Sequence, residues 1–230
     1  MVMKRKLHIY IKGWIYGKIS RMKLTKIQII GHLAGLLPGL FLLYQVFAGT
    51  LSANPIQTAT VITGRASVYA ILISLYCSPL ALYLRLSVFH RIRKISGLFG
   101  FYYAFVHFLV FALFDYQLNL QWILPEIKQK PFLQIGLAAL FFLALLAVTS
   151  IDNLRTKLGT LWKKIHFLTY PITALILLHV ALASKGDLID PALLIGIFLI
   201  AMLLRLPHFR SLQIKSTPDW LRNINTELIK

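Results

Sequence analysis

Long apolar runs separated by short polar segments dominate the chain. Six of them approach the length that a hydrocarbon core of ~30 Å requires of a helix, so each predicts a transmembrane helix. They lie at about residues 28–47, 66–84, 97–114, 132–150, 165–184 and 191–206, and the last is the shortest. The pattern predicts an all-α integral membrane protein with a basic segment at 1–26, a six-helix transmembrane domain at 27–210 and a tail at 211–230.

Composition and charge support this interpretation. The chain is 58% hydrophobic and 14% charged, with a mean hydropathy of +0.72, which excludes a soluble domain of this length. The formal net charge of +18 is spread over alternate loops, which argues against nucleic-acid binding and leaves lipid as the surrounding partner. The positive-inside rule then places both termini in the cytoplasm. All but four of the 25 basic residues lie on that side, the exceptions being Arg65, Lys128, Lys130 and Lys185.

Besides His32, which lies near the cytoplasmic headgroups, three histidines fall inside the predicted helices, where a polar ring is expensive and marks a functional site. At ~1.5 Å of rise per residue, His107 and His179 lie at similar depth in the outer half, whereas His166 lies near the cytoplasmic surface. Matched depth suits two axial ligands of one heme. In a straight helix His166 and His179 would point about 220° apart, but Pro171 between them is expected to kink the helix. The alternative for each ring is a hydrogen bond to a neighbouring helix.

The level of His166 offers one obvious ligand. Arg93 lies fourteen residues before His107, at that same level, and His90 is the nearest histidine. An arginine can pair with a heme propionate or a flavin phosphate, although Arg93 also fits as one of the charges that set the topology. The level of His166 is therefore predicted to hold a second heme with an unusual partner, or to border a flavin or quinone.

Other chemistry is poorly represented. The seven acidic residues lie at helix ends, in loops or in the tail, so the predicted core lacks the carboxylates common in proton-coupled transporters. Cys77 is the single cysteine, which excludes an intramolecular disulfide. We predict no catalytic residue, and whether the chain is itself an enzyme stays open.

A set of short motifs carries a family resemblance that covers roughly residues 28–212. The motifs, in chain order, are HLAGLLP (32–38), TGR (63–65), SPL (78–80), RKISGL (93–98), TS (149–150) and LGTLWKKIH (158–166), with His107 and His179 at the expected places. The chain resembles the heme-binding membrane subunits of periplasmic methionine sulfoxide reductase systems, within the ferric reductase-like transmembrane group.

That resemblance implies a six-helix b-type cytochrome of the bacterial inner membrane, with one or two b hemes. The family's heme histidines match His107, His166 and His179. Electrons would pass outward to a periplasmic molybdopterin enzyme on a separate chain, which reduces methionine sulfoxide. The expected donors are the quinone pool or a cytoplasmic flavin reductase with FMN.

Two other functions stay open at this stage. A ferric-chelate or oxygen reductase subunit of the same fold would use the same histidines but normally needs a flavin and nicotinamide domain. A transporter or structural membrane protein without a cofactor would use the histidines only for packing. A visible spectrum of the purified protein separates this last class from the cytochromes.

Overall fold

Every regular element among the described residues is helical. The computed structural model describes residues 25–184, 189–212 and 216–229, so most of the predicted basic segment and Lys185 lie outside the described residues. The helices are α1 (Lys26–Phe47), α2 (Pro55–Leu84), α3 (Val88–Leu109), α4 (Leu120–Gln129), α5 (Pro131–Thr149), α6 (Asp152–Leu158), α7 (Thr160–Phe167), α8 (Thr169–Ala183), α9 (Ile189–Leu203) and α10 (Asp219–Ile229). A π-helical segment, Val110–Asp115, continues α3, and a 3-10 segment, Pro207–Leu212, follows α9.

Within the described part of the chain, five helical segments are long and apolar enough to cross a membrane, so the chain is a multi-pass membrane protein. They are α1, α2, α3 with its π-helical extension, α5, and α7 together with α8. The sixth predicted span corresponds to α9, which is apolar but has only 15 residues. At 1.5 Å per residue, α9 is shorter than the roughly 30 Å core that a span must cross.

The predicted ends of the spans agree with the structure better than the predicted starts. The second span begins at Pro55 rather than at 66, and the third begins at Val88 rather than at 97. Hydropathy misses these turns because their threonine, glutamine, arginine and lysine side chains are polar although their backbone is helical. Arg91, Arg93 and Lys94 therefore lie in the first two turns of α3, and the prediction that placed them in a loop was wrong.

Residues at the turns explain where the helices begin. Asn54 accepts a hydrogen bond from the backbone N–H of Gln57 at 3.0 Å, and Pro55 fills the first helical position of α2. Pro131 has the same place in α5. Gly159 adopts a φ of +51° between α6 and α7, in a region that favours glycine.

The core of the bundle joins α2, α5, α8 and α9. It contains ten buried apolar residues, Val68, Ile71, Leu72, Ala139, Leu143, Leu146, Ile172, Ile176, Leu177 and Leu194. Polar contacts also attach α9 to α2. The hydroxyl of Tyr76 donates to the Ile197 carbonyl at 2.6 Å, and the Arg205 guanidinium donates to the Leu75 carbonyl. These contacts hold α9 against the bundle in spite of its length.

Basic residues collect at one end of the bundle, where α2 meets α3 and α6 meets α7. We call it the basic end; it carries Arg85, Arg91, Arg93, Lys94, Arg155, Lys157, Lys163 and Lys164. The opposite end carries residues 48–54 and 116–130. The tail helix α10 packs at the basic end, where Asn225 Oδ1 accepts from the Val88 N–H at 3.1 Å and Glu227 pairs with Lys26 at 3.3 Å.

Candidate cofactor site

His107 lies near the end of α3 and faces α2. Its ring Nδ1 donates to the carbonyl of Thr60 at 2.9 Å, and the ring lies over Gly64, one turn further along α2. A Cβ atom at Gly64 would come within 3.1 Å of that Nδ1. With Nδ1 engaged, Nε2 is the ring nitrogen left for another partner.

His179, on α8, is held in the same manner by α5. Its Nδ1 donates to the carbonyl of Phe132 at 2.7 Å, and the ring lies over Gly136. A Cβ atom at Gly136 would come within 2.7 Å of that Nδ1. The tautomer of His179 is therefore set like that of His107.

The structure brings His107 and His179 together across the bundle. Their ring centroids are 6.3 Å apart and their planes are nearly perpendicular, at 86°. Two imidazoles on opposite sides of one metal, each with a metal–nitrogen bond of about 2.0–2.1 Å, would have centroids about 6.4 Å apart. The separation of the two rings thus fits a metal ion held between them.

The donor set favours a metal that brings its own remaining ligands. Among the residues that the structure describes, no group of three or more histidine, cysteine, aspartate or glutamate side chains could hold a metal ion. A bare ion would need three or four protein ligands, whereas heme iron needs only axial ones. The pair formed by His107 and His179 fits heme, and these two residues would hold it.

His166 lies apart from this pair, at the basic end. Its ring stacks on Trp162 with centroids 4.1 Å apart. Its Nδ1 lies 3.2 Å from the Trp162 carbonyl, and its Nε2 lies 3.3 Å from the hydroxyl of Ser150. Both ring nitrogens of His166 have protein partners, whereas His107 and His179 each have a protein partner at Nδ1.

The helix that carries both His166 and His179 is broken between them, as the proline predicted. The segment α7 ends at Phe167 and α8 begins at Thr169, with Leu168 at the junction. Pro171 has no N–H to give the carbonyl four residues earlier, that of Phe167, so the regular ladder stops there. Because of this break, the angle of about 220° between His166 and His179 that a straight helix predicts does not apply.

Arg93 does share a site with His166. Both line a shallow pocket of about 200 Å³ at the basic end, together with Trp162, Lys163, Phe167 and Tyr170. The Arg155 guanidinium lies over the Trp162 ring at 4.6 Å from its centroid. The pocket thus combines aromatic rings with several cationic groups, a combination that suits a planar, anionic ligand.

The position that corresponds to His166 on α3 is not a histidine. Lys94 precedes His107 by thirteen residues, as His166 precedes His179, and its ammonium pairs with Asp152 at 2.8 Å. The hydrogen bond from Lys94 lowers the pKa of the Asp152 carboxyl, which stabilises the ion pair at neutral pH. His90 is exposed and, among the described residues, no second histidine ring lies against His166.

Comparison with known proteins identifies the group to which this architecture belongs. The family model of the ferric reductase like transmembrane component matches residues 39–177. Two proteins named protein-methionine-sulfoxide reductase heme-binding subunit MsrQ, from Pectobacterium carotovorum subsp. carotovorum and Pectobacterium atrosepticum, are each 32% identical to it over 194 residues. These alignments cover 84% of this chain and 98% of each relative. The chain belongs to the MsrQ group of the ferric reductase-like transmembrane family.

Membership of the MsrQ group confirms the resemblance drawn from the short motifs. Sequence reasoning named the three histidines and Arg93. It missed the residues that orient His107 and His179, namely Thr60, Phe132, Gly64 and Gly136. A backbone carbonyl has no sequence signature of its own. A usable signal did exist in the sequence, since Gly64 precedes His107 and Gly136 precedes His179 by the same 43 residues.

Proposed function

We propose that the chain is a b-type cytochrome subunit that carries electrons across the bacterial inner membrane to a methionine sulfoxide reductase on a separate chain. Support comes from the names of the MsrQ relatives, which describe a heme-binding subunit of such a reductase. The proposed acceptor is a periplasmic enzyme with a molybdopterin cofactor. Reduction of the sulfoxide would take place on that enzyme and not on this chain.

The observation that carries the proposal is the geometry of His107 and His179. Their rings lie 6.3 Å apart with both Nδ1 atoms bonded to backbone carbonyls, so both Nε2 atoms are available to one heme iron. Bound heme supplies a one-electron carrier, and two imidazole ligands leave it no open position for oxygen chemistry. The histidines orient the group, and their hydrogen bonds raise the basicity of the ligands.

The pocket at the basic end is the proposed entry point for electrons. Arg93 and Lys163 can attract the phosphate of FMN, and the rings of Trp162 and His166 provide a surface on which a flavin or a quinone can stack. We further propose that the basic end lies in the cytoplasm, as the positive-inside rule predicts, with both termini there and with α9 as the sixth crossing. Because Lys94 rather than a histidine is the counterpart of His166, we propose one heme per chain.

Visible spectroscopy of the purified protein, before and after dithionite, tests the proposal. We expect sharp b-type bands on reduction and one heme per chain. His107→Ala and His179→Ala should each abolish the bands, because each removes an axial ligand. His90→Ala, an exposed histidine at the basic end, is the matched control and should leave them unchanged.

His166→Ala distinguishes a ligand from a donor-site residue. We expect it to keep the bands but to slow reduction by reduced FMN or quinol by about tenfold or more, as for loss of a supporting contact. Intact bands in both His107→Ala and His179→Ala would overturn the ligand assignment, and absence of bands in the native protein would favour a chain without heme.

A related function is favoured by the family model itself, whose description names ferric reductases. In that case the reduced protein would pass electrons to a ferric chelate or to oxygen. Reoxidation of the dithionite-reduced protein by a purified methionine sulfoxide reductase, by ferric citrate and by oxygen separates the two functions. We expect fast reoxidation only with the reductase.

A further inference from the structure

His107 and His179 are positioned by two equivalent arrangements. In each, the histidine donates to a carbonyl that lies 47 residues earlier in the chain, that of Thr60 or that of Phe132. In each, a glycine follows the carbonyl residue by four, at Gly64 or at Gly136. The sequence shows no such internal repeat by residue identity, but the contacts repeat between the α2–α3 pair and the α5–α8 pair.

The spacing of four has a physical reason. The carbonyl of a helical residue points along the axis toward the residue four positions later, so a side chain at that position would stand where an approaching donor must lie. A Cβ there would come within 3.1 Å of Nδ1 at Gly64 and 2.7 Å at Gly136. The second distance is below any normal contact, and the first requires the ring to move by a few tenths of an ångström.

A glycine of α9 provides a contrast to Gly64 and Gly136. A Cβ at Gly196, within α9, would meet nothing within 4 Å. Glycine costs about 0.5–1 kcal/mol relative to alanine inside a helix, so its use against the two histidines needs a compensating gain. Here the gain is access of the ring to a carbonyl that helix neighbours would otherwise cover.

We propose that Gly64 and Gly136 are positioning residues for the two axial ligands. The missing side chain of each glycine leaves a space that we call a notch. The notch lets the ring Nδ1–H reach the carbonyl, and Nε2 would then face a metal held between the two rings. This inference rests on the proposed function, since it assigns a role toward the heme that His107 and His179 would hold. By this inference the α2–α3 pair and the α5–α8 pair each position one histidine ligand in the same way.

The test compares Gly64→Ala and Gly136→Ala with Gly196→Ala as the matched control. The variants are purified as full chains, and heme per chain, reduction midpoint and the low-spin EPR spectrum are measured. Loss of the hydrogen bond makes the imidazole less electron-donating, which favours the ferrous form. Both notch variants should therefore show a higher midpoint and a shifted EPR spectrum, with heme affinity lowered by about 10- to 100-fold.

The size of the effects provides a second criterion. Gly136→Ala should act more strongly than Gly64→Ala because its Cβ comes closer to the ring. Gly196→Ala should match the native protein. Native midpoint and EPR spectrum in both notch variants would overturn the inference while leaving the proposed function intact, whereas native protein without heme bands would overturn the proposed function itself.

A ligand-replacement measurement covers the case in which a notch variant fails to fold. His107→Gly leaves space for free imidazole, whose single N–H can be donated to the Thr60 carbonyl, or for 1-methylimidazole, which has no N–H to donate. The imidazole adduct should have the lower midpoint. Equal midpoints for the two adducts would show that the carbonyl contributes nothing to the ligand and would refute the inference.

Discussion

Tyr103 places its hydroxyl inside the backbone ladder of α1. The hydroxyl donates to the carbonyl of Gly35 at 2.8 Å and accepts from the N–H of Gly39 at 3.0 Å. Pro38, just before Gly39, has no N–H, so one hydrogen bond of the α1 ladder is missing at this turn. Tyr103 is 3% exposed, so its hydroxyl joins α3 to two half-buried backbone groups of α1.

Tyr103→Phe should therefore destabilise the bundle although it removes only one oxygen atom. The two hydrogen bonds that the buried hydroxyl makes to α1 are lost, which costs about 1–3 kcal/mol. Thermal unfolding in detergent measures the effect, and Tyr102→Phe is the control because Tyr102 is 50% exposed. Equal midpoints of unfolding for the two variants would contradict this role.

The candidate site was predictable from the sequence only in part. An imidazole in an apolar run is visible in the sequence, and so is the matched depth of His107 and His179. The partners of those rings were not predictable, because Thr60 and Phe132 contribute backbone carbonyls, which every residue has. The sequence indicated that the level of His166 lacks a second histidine and includes Arg93, which lines the same pocket, whereas the pairing of Lys94 with Asp152 depends on the helix phase.

At the scale of elements, α1 packs on α3 through three glycines. Gly31 faces Ile95, Gly35 faces Phe99 and Gly39 faces Tyr103, so the contacts advance together by four residues and the two helices run parallel. Small residues let helices approach closely in a membrane, where apolar burial alone gives little attraction. The missing side chains of the three glycines therefore let α1 and α3 approach closely.

Gly35→Ala should weaken this contact strongly. An added Cβ would lie 2.3 Å from the Phe99 ring, so that ring must leave its position, at a cost of about 1–3 kcal/mol. Gly31→Ala meets only the methyl end of Ile95 at 3.2 Å and should cost less. Thermal unfolding of the two variants measures the difference.

A second variant checks that the ring is responsible. Combining Gly35→Ala with Phe99→Ala provides space for the new methyl group, so the double variant should lose less stability than the two single changes predict together. Strict additivity would show that Phe99 is not the residue that opposes the alanine.

Element boundaries were the least predictable part of the fold. Hydropathy located the apolar middle of α2 and α3 but not their polar first turns, which are fixed by Asn54 with Pro55 and by the contact of Val88 with Asn225. The short helices α4 and α10 were missed as well. Their apolar residues cover one face only, so a window average cannot reveal them.

At the scale of the whole molecule, charge separates the two ends of the bundle. Arg and Lys side chains gather where α2 meets α3 and where α6 meets α7, whereas residues 48–54 and 116–130 form the other end. The number of crossings depends on α9, which is short but held to α2 by the contacts of Tyr76 and Arg205. Orientation and crossing number can be measured together.

Single cysteines, introduced into a chain in which Cys77 is replaced by alanine, report the orientation of the bundle and the number of its membrane crossings. Ser52→Cys should react with a membrane-impermeant maleimide in intact spheroplasts, whereas Lys157→Cys should react only after the membrane is opened. Asn223→Cys, on α10, should behave like Lys157→Cys if α9 crosses the membrane. Labelling of Asn223→Cys in intact spheroplasts would reduce the number of crossings to five.

The repeated carbonyl contact also bears on how the molecule is made. Each histidine donates its hydrogen bond to a carbonyl within its own helix pair. The α2–α3 pair leaves the ribosome before the α5–α8 pair. His107 can therefore be oriented while the second half of the chain is still being synthesised, and His179 completes the pair only when α8 has been inserted. A group held by both rings, as proposed, could therefore be bound only after α8 has been inserted.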